Sequence, residues 1–254
     1  MYTRLTISIL LLLAIFWLEG VFPFFKGRKH RIKHAFPNIV FASLNGIISG
    51  FIFAWLIITA INWANFNCFG LLHTINIPLY IKGTVAFVLF DLWMYVWHLL
   101  NHRIFFLWRF HRVHHADLEM DTTTALRFHP GEIIFSSMSR LVVIPLLGIS
   151  FAHLIIYEMA LQTIILFHHS NVGLPEKWDR IFRSVIVTPN MHRVHHSQEG
   201  FEFNSNYSSI FSFWDRLNHT FRKRENTHAI RYGLRIFQES KWQRLWGMLI
   251  TPIK

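Results

Sequence analysis

An all-α membrane protein with several spans is predicted by three features of the sequence. Hydrophobic residues make up 52% of the 254 positions and charged residues only 15%, where an ordinary soluble domain carries about a quarter charged residues. The apolar residues gather into long runs instead of alternating with polar ones. Histidines number 17, more than the 14 acidic residues, and they cluster near the ends of those runs. The expected architecture is a polytopic membrane helix bundle of four or five segments. A cytoplasmic helical cap on it holds a histidine-rich dimetal site, and residues 1–254 form a single membrane domain.

The first apolar run is Leu5–Phe25. Arg4 alone flanks it and no small-residue cleavage site follows, so a retained helix or uncleaved anchor is expected. The second run, about Asn38–Trp63, contains Asn45, Gly46 and Gly50, small residues that would let a neighbouring helix approach closely. The third, Leu79–Trp108, would be roughly 45 Å long as one helix, against a hydrocarbon core of roughly 30 Å, so part of it should project. The fourth, Ile133–Phe167, is broken near Pro145 and Gly148. It reads as two tilted spans or as a hairpin that dips in and returns. Residues 221–254 are expected to form a peripheral helical tail. There Trp242, Leu245, Trp246 and Leu249 recur at helical spacing, suiting a helix on the membrane or a docking helix.

Charge sets the expected orientation. Lys26, Arg28, Lys29, Arg31 and Lys33 follow the first run, and Arg103, Arg109, Arg112 and Arg127 lie near the end of the third, whereas residues 65–78 carry no charge. The positive-inside tendency places the first loop, the histidine clusters and the C-terminus in the cytoplasm. The formal charge of +11 is spread around apolar segments. An anionic membrane surface accounts for it, and nucleic acid is not expected as a partner. The single cysteine, Cys68, excludes a disulfide framework and a thiolate metal cluster.

His30, His34 and His73 look incidental, the first two as solvated members of the basic loop. The others form boxes: His98 and His102 one helical turn apart, then His111, His114 and His115, then His168 and His169, then His192, His195 and His196. The pentapeptide His-Arg-Val-His-His occurs twice, 81 residues apart. Neutral imidazole is a strong ligand for iron, zinc, copper or nickel. Spacings of three and four bring rings onto one helical face, and eight or more imidazoles exceed what one ion holds, so two ions are expected. No His-Glu-x-x-His string supports a zinc protease. The alternative is a non-oxygenase membrane metal protein, such as a zinc hydrolase or a metal carrier. A carrier would need metal-handling groups along its crossing helices, and the first two runs offer almost none.

At these boxes the sequence resembles the fatty acid hydroxylase and sterol desaturase superfamily, integral-membrane oxygenases with a di-iron centre. The family pattern is His-x3-4-His, then His-x2-His-His, a middle histidine, and a second His-x2-His-His. It maps onto His98 and His102, onto His111, His114 and His115, and onto His192, His195 and His196. The middle histidine falls on His169, with His168 the other candidate. Arg127-Phe128-His129-Pro130-Gly131-Glu132, Asn206-Tyr207 and Phe213-Trp214-Asp215-Arg216-Leu217 also resemble family segments, so the likeness covers about residues 85–220. Asn218-His219-Thr220 departs from the family's usual Phe-Gly-Thr.

The resemblance implies O2-dependent hydroxylation or desaturation of an unactivated C–H bond in a membrane lipid, sterol, fatty acyl or related. Two iron ions would be the cofactor and the boxes the catalytic metal ligands. Asp91, Asp117, Arg127, His129, Glu132 and Asp215 are candidates to support those ligands by hydrogen bonding, and Asn171 a candidate weak ligand. Asp91 lies seven residues before His98 on roughly the same face and either holds an imidazole or contacts another helix, for example at Asn45. A substrate chain would enter along Phe87, Phe90 and Trp93. The sequence shows no dinucleotide fingerprint and no iron–sulfur pattern. Electrons from NAD(P)H are therefore expected through a separate reductase, directly or by a cytochrome b5-like protein or ferredoxin. Arg103, Arg109, Arg112, Arg193, Arg222, Lys223 and Arg224 are candidates for steering it.

Overall fold

The computed structural model describes residues 2–254, with side chains from Leu5 onward. Among them are helices, turns and isolated β-bridges, but no strand. Helix α1 (Tyr2–Val21) is followed by α2 (Arg31–Ile48), a π-helical turn (Ser49–Phe53) and α3 (Ala54–Phe66). A short α4 (Leu71–Thr74) leads into α5 (Leu79–Arg103) and α6 (Phe105–His115). Then come α7 (Pro130–Leu147) and α8 (Phe151–His169). The polar end is built by the shorter α9 (Glu176–Phe182), α10 (Pro189–His195), α11 (Gly200–Phe203), α12 (Phe213–Leu217) and α13 (Leu245–Ile250).

Four described stretches are long and apolar enough to cross a membrane: Arg31–Thr74, Leu79–Arg103, Pro130–Leu147 and Phe151–His169. The first apolar run is helical but shorter, over Leu5–Val21. Leu10, Trp17, Phe51, Trp55, Phe66 and Leu79 are all more than half exposed. In water such a surface would drive aggregation, while in lipid it is solvated. The chain is a multi-pass membrane protein.

Several elements differ from expectation, each for a local reason. Helix α1 stops at Val21 because Pro23 lacks an amide proton and the chain turns extended, pairing across an isolated bridge with Val172. The run Leu79–Trp108 is not one helix. Ile104 adopts an extended conformation (φ −91°, ψ 112°), and α6 folds back against α5 instead of projecting. The fourth run is two helices separated at Gly148, whose φ of 72° lies in the left-handed region that glycine adopts without strain. A side chain at Gly70 would strike the backbone at Pro145 and Gly148, so this corner also requires a close approach. Gly46 and Gly50 face open space and bring no helix close. Their neighbour Asn45 instead donates to the Phe128 carbonyl (2.8 Å). In the tail, α13 docks through Met248, which is buried with Phe41 and Val113, while Trp246 faces outward.

The main core lies between α3, α5, α7 and α8, around Ile61, Phe90, Met94, Ile144, Leu154 and Tyr157. Phe87 and Phe90 pack on Tyr157 (ring centroids 5.0 and 4.9 Å). They pack helix α5 against α8. Asp91, fully buried, corrects a second expectation. Its carboxylate accepts from Tyr157 Oη (2.9 Å), Trp214 Nε1 (2.9 Å) and the Phe211 amide (3.1 Å), touching neither an imidazole nor Asn45. It ties α5 to α8 and to the polar end. Asp91→Ala would strand three buried donors and should cost on the order of 3 kcal/mol. Thermal unfolding in detergent should show a clearly lowered midpoint, with Asp91→Asn intermediate; an unchanged midpoint would refute the tie.

Candidate metal centre

Each box is positioned by a short helix or helix end. On α5, His98 and His102 stand one turn apart. The break at Ile104 turns α6 back, so that His111 and His115, again one turn apart, face them. Thr188 caps α10 through a bond from the Met191 amide (3.4 Å), and Pro189 occupies the first turn, where its missing donor costs nothing. That helix carries His192 and His195, with His196 at its C-cap. His169 closes α8.

Nine imidazoles converge in two adjoining groups. One nitrogen each of His98, His102, His111, His115 and His195 lies within 4.8 Å of the others, and the same holds for His114, His169, His192 and His196. The boxes contribute reciprocally. His111 and His115 enter the first group and His114 the second, whereas His192 and His196 enter the second and His195 the first. A spacing of four keeps two rings on one face, and a spacing of three turns the remaining ring toward the neighbouring group. The groups touch where the rings of His115 and His196 stack at 4.5 Å.

The far nitrogens of four rings are pinned. Nδ1–H donates from His98 to the Tyr207 carbonyl (2.8 Å), from His195 to the Ser205 carbonyl (2.6 Å), from His169 to the Ile165 carbonyl (2.8 Å) and from His111 to Glu132 Oε1 (2.8 Å). Each bond fixes the tautomer and leaves Nε2 as the lone pair. In the first group Nε2 of His98, His111, His115 and His195, and both nitrogens of His102, are buried without a protein partner. In the second, Nε2 of His169 lies 3.0 Å from Nε2 of both His114 and His192. Burial first, and then the neighbouring imidazoles, hold His114, His115, His192 and His195 well below the ordinary histidine pKa, so these rings are neutral. His196 is lowered in the same way against the pull of Asp117. Buried, converging, neutral nitrogen lone pairs suit two first-row divalent cations. Phe128 stacks on His114 (4.5 Å), and a stacked Trp108–Phe203 pair (5.5 Å) flanks His102 and His115, closing the site with aromatic surface.

The remaining candidates fall elsewhere. His168 belongs to neither group, although its ring lies 4.0 Å from that of His192. Glu132 touches His111, as above, and Asp215 acts one step removed. Its carboxylate accepts from the Tyr207 and Ser208 amides (2.7 and 3.0 Å), holding the segment whose carbonyl orients His98. Asp117 contacts no box ring. It accepts from His34 Nε2 (2.7 Å) and Thr124 Oγ1 (2.8 Å), and although burial alone would raise its pKa, His34 and Arg127 hold it well below the carboxylate range. Arg127 donates to the Val113 carbonyl (3.0 Å) and Gln243 (2.9 Å). His129 caps α7, accepting from the Gly131 amide (2.9 Å) and donating to the Leu249 carbonyl (3.2 Å). Asn171 bonds to the Phe25 backbone, with no ligating geometry.

Two residues were missed. His34 is not a solvated loop residue, because each ring nitrogen meets a carboxylate, Asp117 on one side and Asp121 (2.9 Å) on the other. Glu19 is 1% exposed and accepts from two distant backbone amides. Its signal was present, as the one charged residue between Arg4 and Lys26. The carbonyls of Tyr207, Ser205 and Ile165 left no signal, because every residue type carries one.

The geometry defines a helical membrane protein with two adjoining imidazole clusters, each able to hold a metal ion. The chain belongs to the fatty acid hydroxylase family, whose sequence pattern matches residues 83–220. It is 25% identical over 204 residues to alkylglycerol monooxygenase of Danio rerio, covering 72% of this chain and 42% of that protein. To ornithine lipid hydroxylase OlsE of Rhizobium tropici it is 30% identical over 145 residues, 57% of this chain and 43% of the relative. To cholesterol 25-hydroxylase of Homo sapiens it is 26% identical over 141 residues, 53% and 49% respectively. The chain thus spans about half the length of these curated relatives or less. No solved structure matches it significantly.

The depressed histidine pKa values have a signed consequence. In the unfolded chain these imidazoles protonate below about pH 6.5, whereas in the folded chain they stay neutral to much lower pH. The unfolded state then binds more protons, so metal-free protein should lose stability as pH falls below about 6.5. Unfolding midpoints of chelator-treated protein should drop between pH 7.5 and pH 5.5, and a flat profile would contradict the neutral assignment.

Proposed function

We propose that this protein hydroxylates an unactivated C–H bond in a membrane lipid with O2, using two iron ions held by His98, His102, His111, His115 and His195 and by His114, His169, His192 and His196. The observation that carries this reading is the convergence of nine buried or half-buried imidazoles in two groups, where His98, His102 and His169 at the ends of two membrane-crossing helices meet the rings of α6 and α10. Bound iron supplies O2 activation and carbon oxidation, with the balance C–H plus O2, two electrons and two protons giving C–OH and water. The named relatives are hydroxylases or monooxygenases with lipid names, which favours hydroxylation over desaturation.

The chain's own residues orient ligands and exclude water. Glu132 and the carbonyls of Tyr207, Ser205 and Ile165 aim the rings, and Phe128, Trp108 and Phe203 cover them. Exposed Ile104, Phe105 and Phe106 directly follow His102 and Arg103, placing an apolar surface suited to a lipid chain beside the first group. The basic segments support a cytoplasmic site and C-terminus, within reach of a separate reductase drawing on NAD(P)H through a cytochrome b5-like protein or ferredoxin. Of the basic residues considered for steering that donor, Arg112 and Arg193 are buried, and Arg109 and Arg112 bond to the Pro252 and Thr251 carbonyls. These three brace the fold and half-buried Arg224 pairs with Glu202 (2.8 Å), leaving exposed Arg103, Arg222 and Lys223 to meet a partner.

Total lipids from cells expressing the protein, compared by mass spectrometry with cells expressing His192→Ala, should show a species heavier by one oxygen. A loss of two hydrogens would indicate desaturation instead. Identical lipids, with iron-loaded protein present, would sink the reading. Purified protein given NAD(P)H alone should be inactive and should turn over once a reductase system is added. The rate should fall as ionic strength rises from about 0.05 to 0.5 M, because screening weakens docking. Turnover by the single chain on NAD(P)H would remove the separate donor.

A further inference from the structure

Glu19 sits near the C-terminal end of α1, outside residues 83–220. Its Oε1 accepts from the backbone amides of Thr122 (2.6 Å) and Asn171 (2.7 Å), and its Oε2 from Arg31 (3.0 Å). A carboxylate in an apolar helix is costly unless it is paired, and this one is paired on both oxygens. Thr122 follows the second histidine box and also donates through Oγ1 to the Leu166 carbonyl on α8 (3.0 Å). Asn171 lies two residues after His169, and its side chain exchanges two bonds with the Phe25 backbone (3.0 Å each).

The turn after His169 is gripped from another side as well. Arg193, between His192 and His195, donates to the Ser170 and Val172 carbonyls (3.0 and 2.7 Å) and lies over the Phe24 ring (3.9 Å). Residues 170–172 are therefore held by Glu19, by Phe25 and by the helix that carries His192. All three grips set where α8 ends, and so where His169 meets His114 and His192. The first group is held differently, through Glu132 and the Tyr207 and Ser205 carbonyls.

We infer that Glu19 is a positioning residue for the second histidine group, and that α1 with the segment after it completes that half of the metal centre. The inference rests on the two-metal reading above. Two amides from distant segments on one oxygen fix the separation of those segments. Loss of that oxygen frees the turn after His169 while leaving the supports of the first group in place.

The test uses the full chain in detergent, loaded with iron, with metal per chain counted and its release to a chelator followed in time. In Glu19→Ala one of the two ions should leave about 10–100-fold faster and the other at the wild-type rate, with one of two Mössbauer iron environments altered. Glu19→Gln keeps an oxygen for both amides and loses only the ion pair with Arg31. It should melt lower yet hold both ions as wild type does, a rescue that a plain structural strut would not show. Folded Glu19→Ala releasing both ions at wild-type rates would overturn the inference, as would loss of an ion in Glu19→Gln. Should Glu19→Ala fail to fold, Glu19→Asp shortens the side chain and withdraws its oxygen from both amides while keeping the charge; one faster ion is expected there, and wild-type rates for both ions would overturn the role. Wild-type protein that binds no metal would instead bring down the two-metal reading itself, and the inference with it.

Discussion

The rest of the structure depends on keeping nine imidazoles pressed together in a closed space. An unpartnered buried polar atom costs roughly 1–3 kcal/mol, and the site holds such a nitrogen in nearly every ring. Their sum rivals the whole stability of a domain, roughly 5–15 kcal/mol. On the proposed two-metal reading a bound cation would relieve that penalty, which would link metal affinity and folding stability in this chain. Until a cation binds, lone pairs that repel one another must be held by bonds made elsewhere on the same rings. The bonds at His98, His111, His169 and His195 do this, each acting on the nitrogen that points away from the site.

The repeated pentapeptide becomes intelligible from the same constraint. A helix places positions one and five of the string on one face and position four beside them. Two such helices facing each other can then build two neighbouring sites, each taking two rings from one helix and one from the other. Helices α6 and α10 are related in this way, and His98, His102 and His169 fill what remains of each group. The intervening Arg-Val has its own use. Val113 and Val194 are buried on the opposite side, and Arg112 and Arg193 bond to backbone carbonyls, bracing the back of each box.

Much of this was legible in the sequence. Hydropathy located the apolar runs, because transfer into lipid is a property of composition. The boxes located the imidazoles that converge, because their spacing on a helix is periodic. What was not legible depended on contacts distant in the chain. The fold-back at Ile104 required knowing that α6 must return to α5, and no proline or glycine marks the point. His34 looked solvated because its partners, Asp117 and Asp121, lie more than eighty residues away. Asp91 had the right face and distance to hold an imidazole, but Tyr157 and Trp214 offer it donors closer by. The choice between His168 and His169 also needed three dimensions, since adjacent residues on a helix end diverge by about a quarter turn.

The acidic residues show how such a site is kept in register within a membrane. Helices α1, α5, α7 and α8 each contain a single acidic residue: Glu19, Asp91, Glu132 and Glu158. Every one of them bonds outside its own helix, to the Thr122 and Asn171 amides, to Tyr157 and Trp214, to His111, and to Arg140. In lipid, apolar packing distinguishes poorly between a helix and the surrounding chains, so burial alone does not fix how far one helix slides along another. A hydrogen bond to a carboxylate does, because an unpaired charge there is expensive. A site that needs nitrogens placed to within a fraction of an ångström cannot tolerate such sliding. One paired carboxylate per ligand-bearing or ligand-bracing helix is the least polar way to prevent it, and it leaves the lipid-facing surfaces apolar.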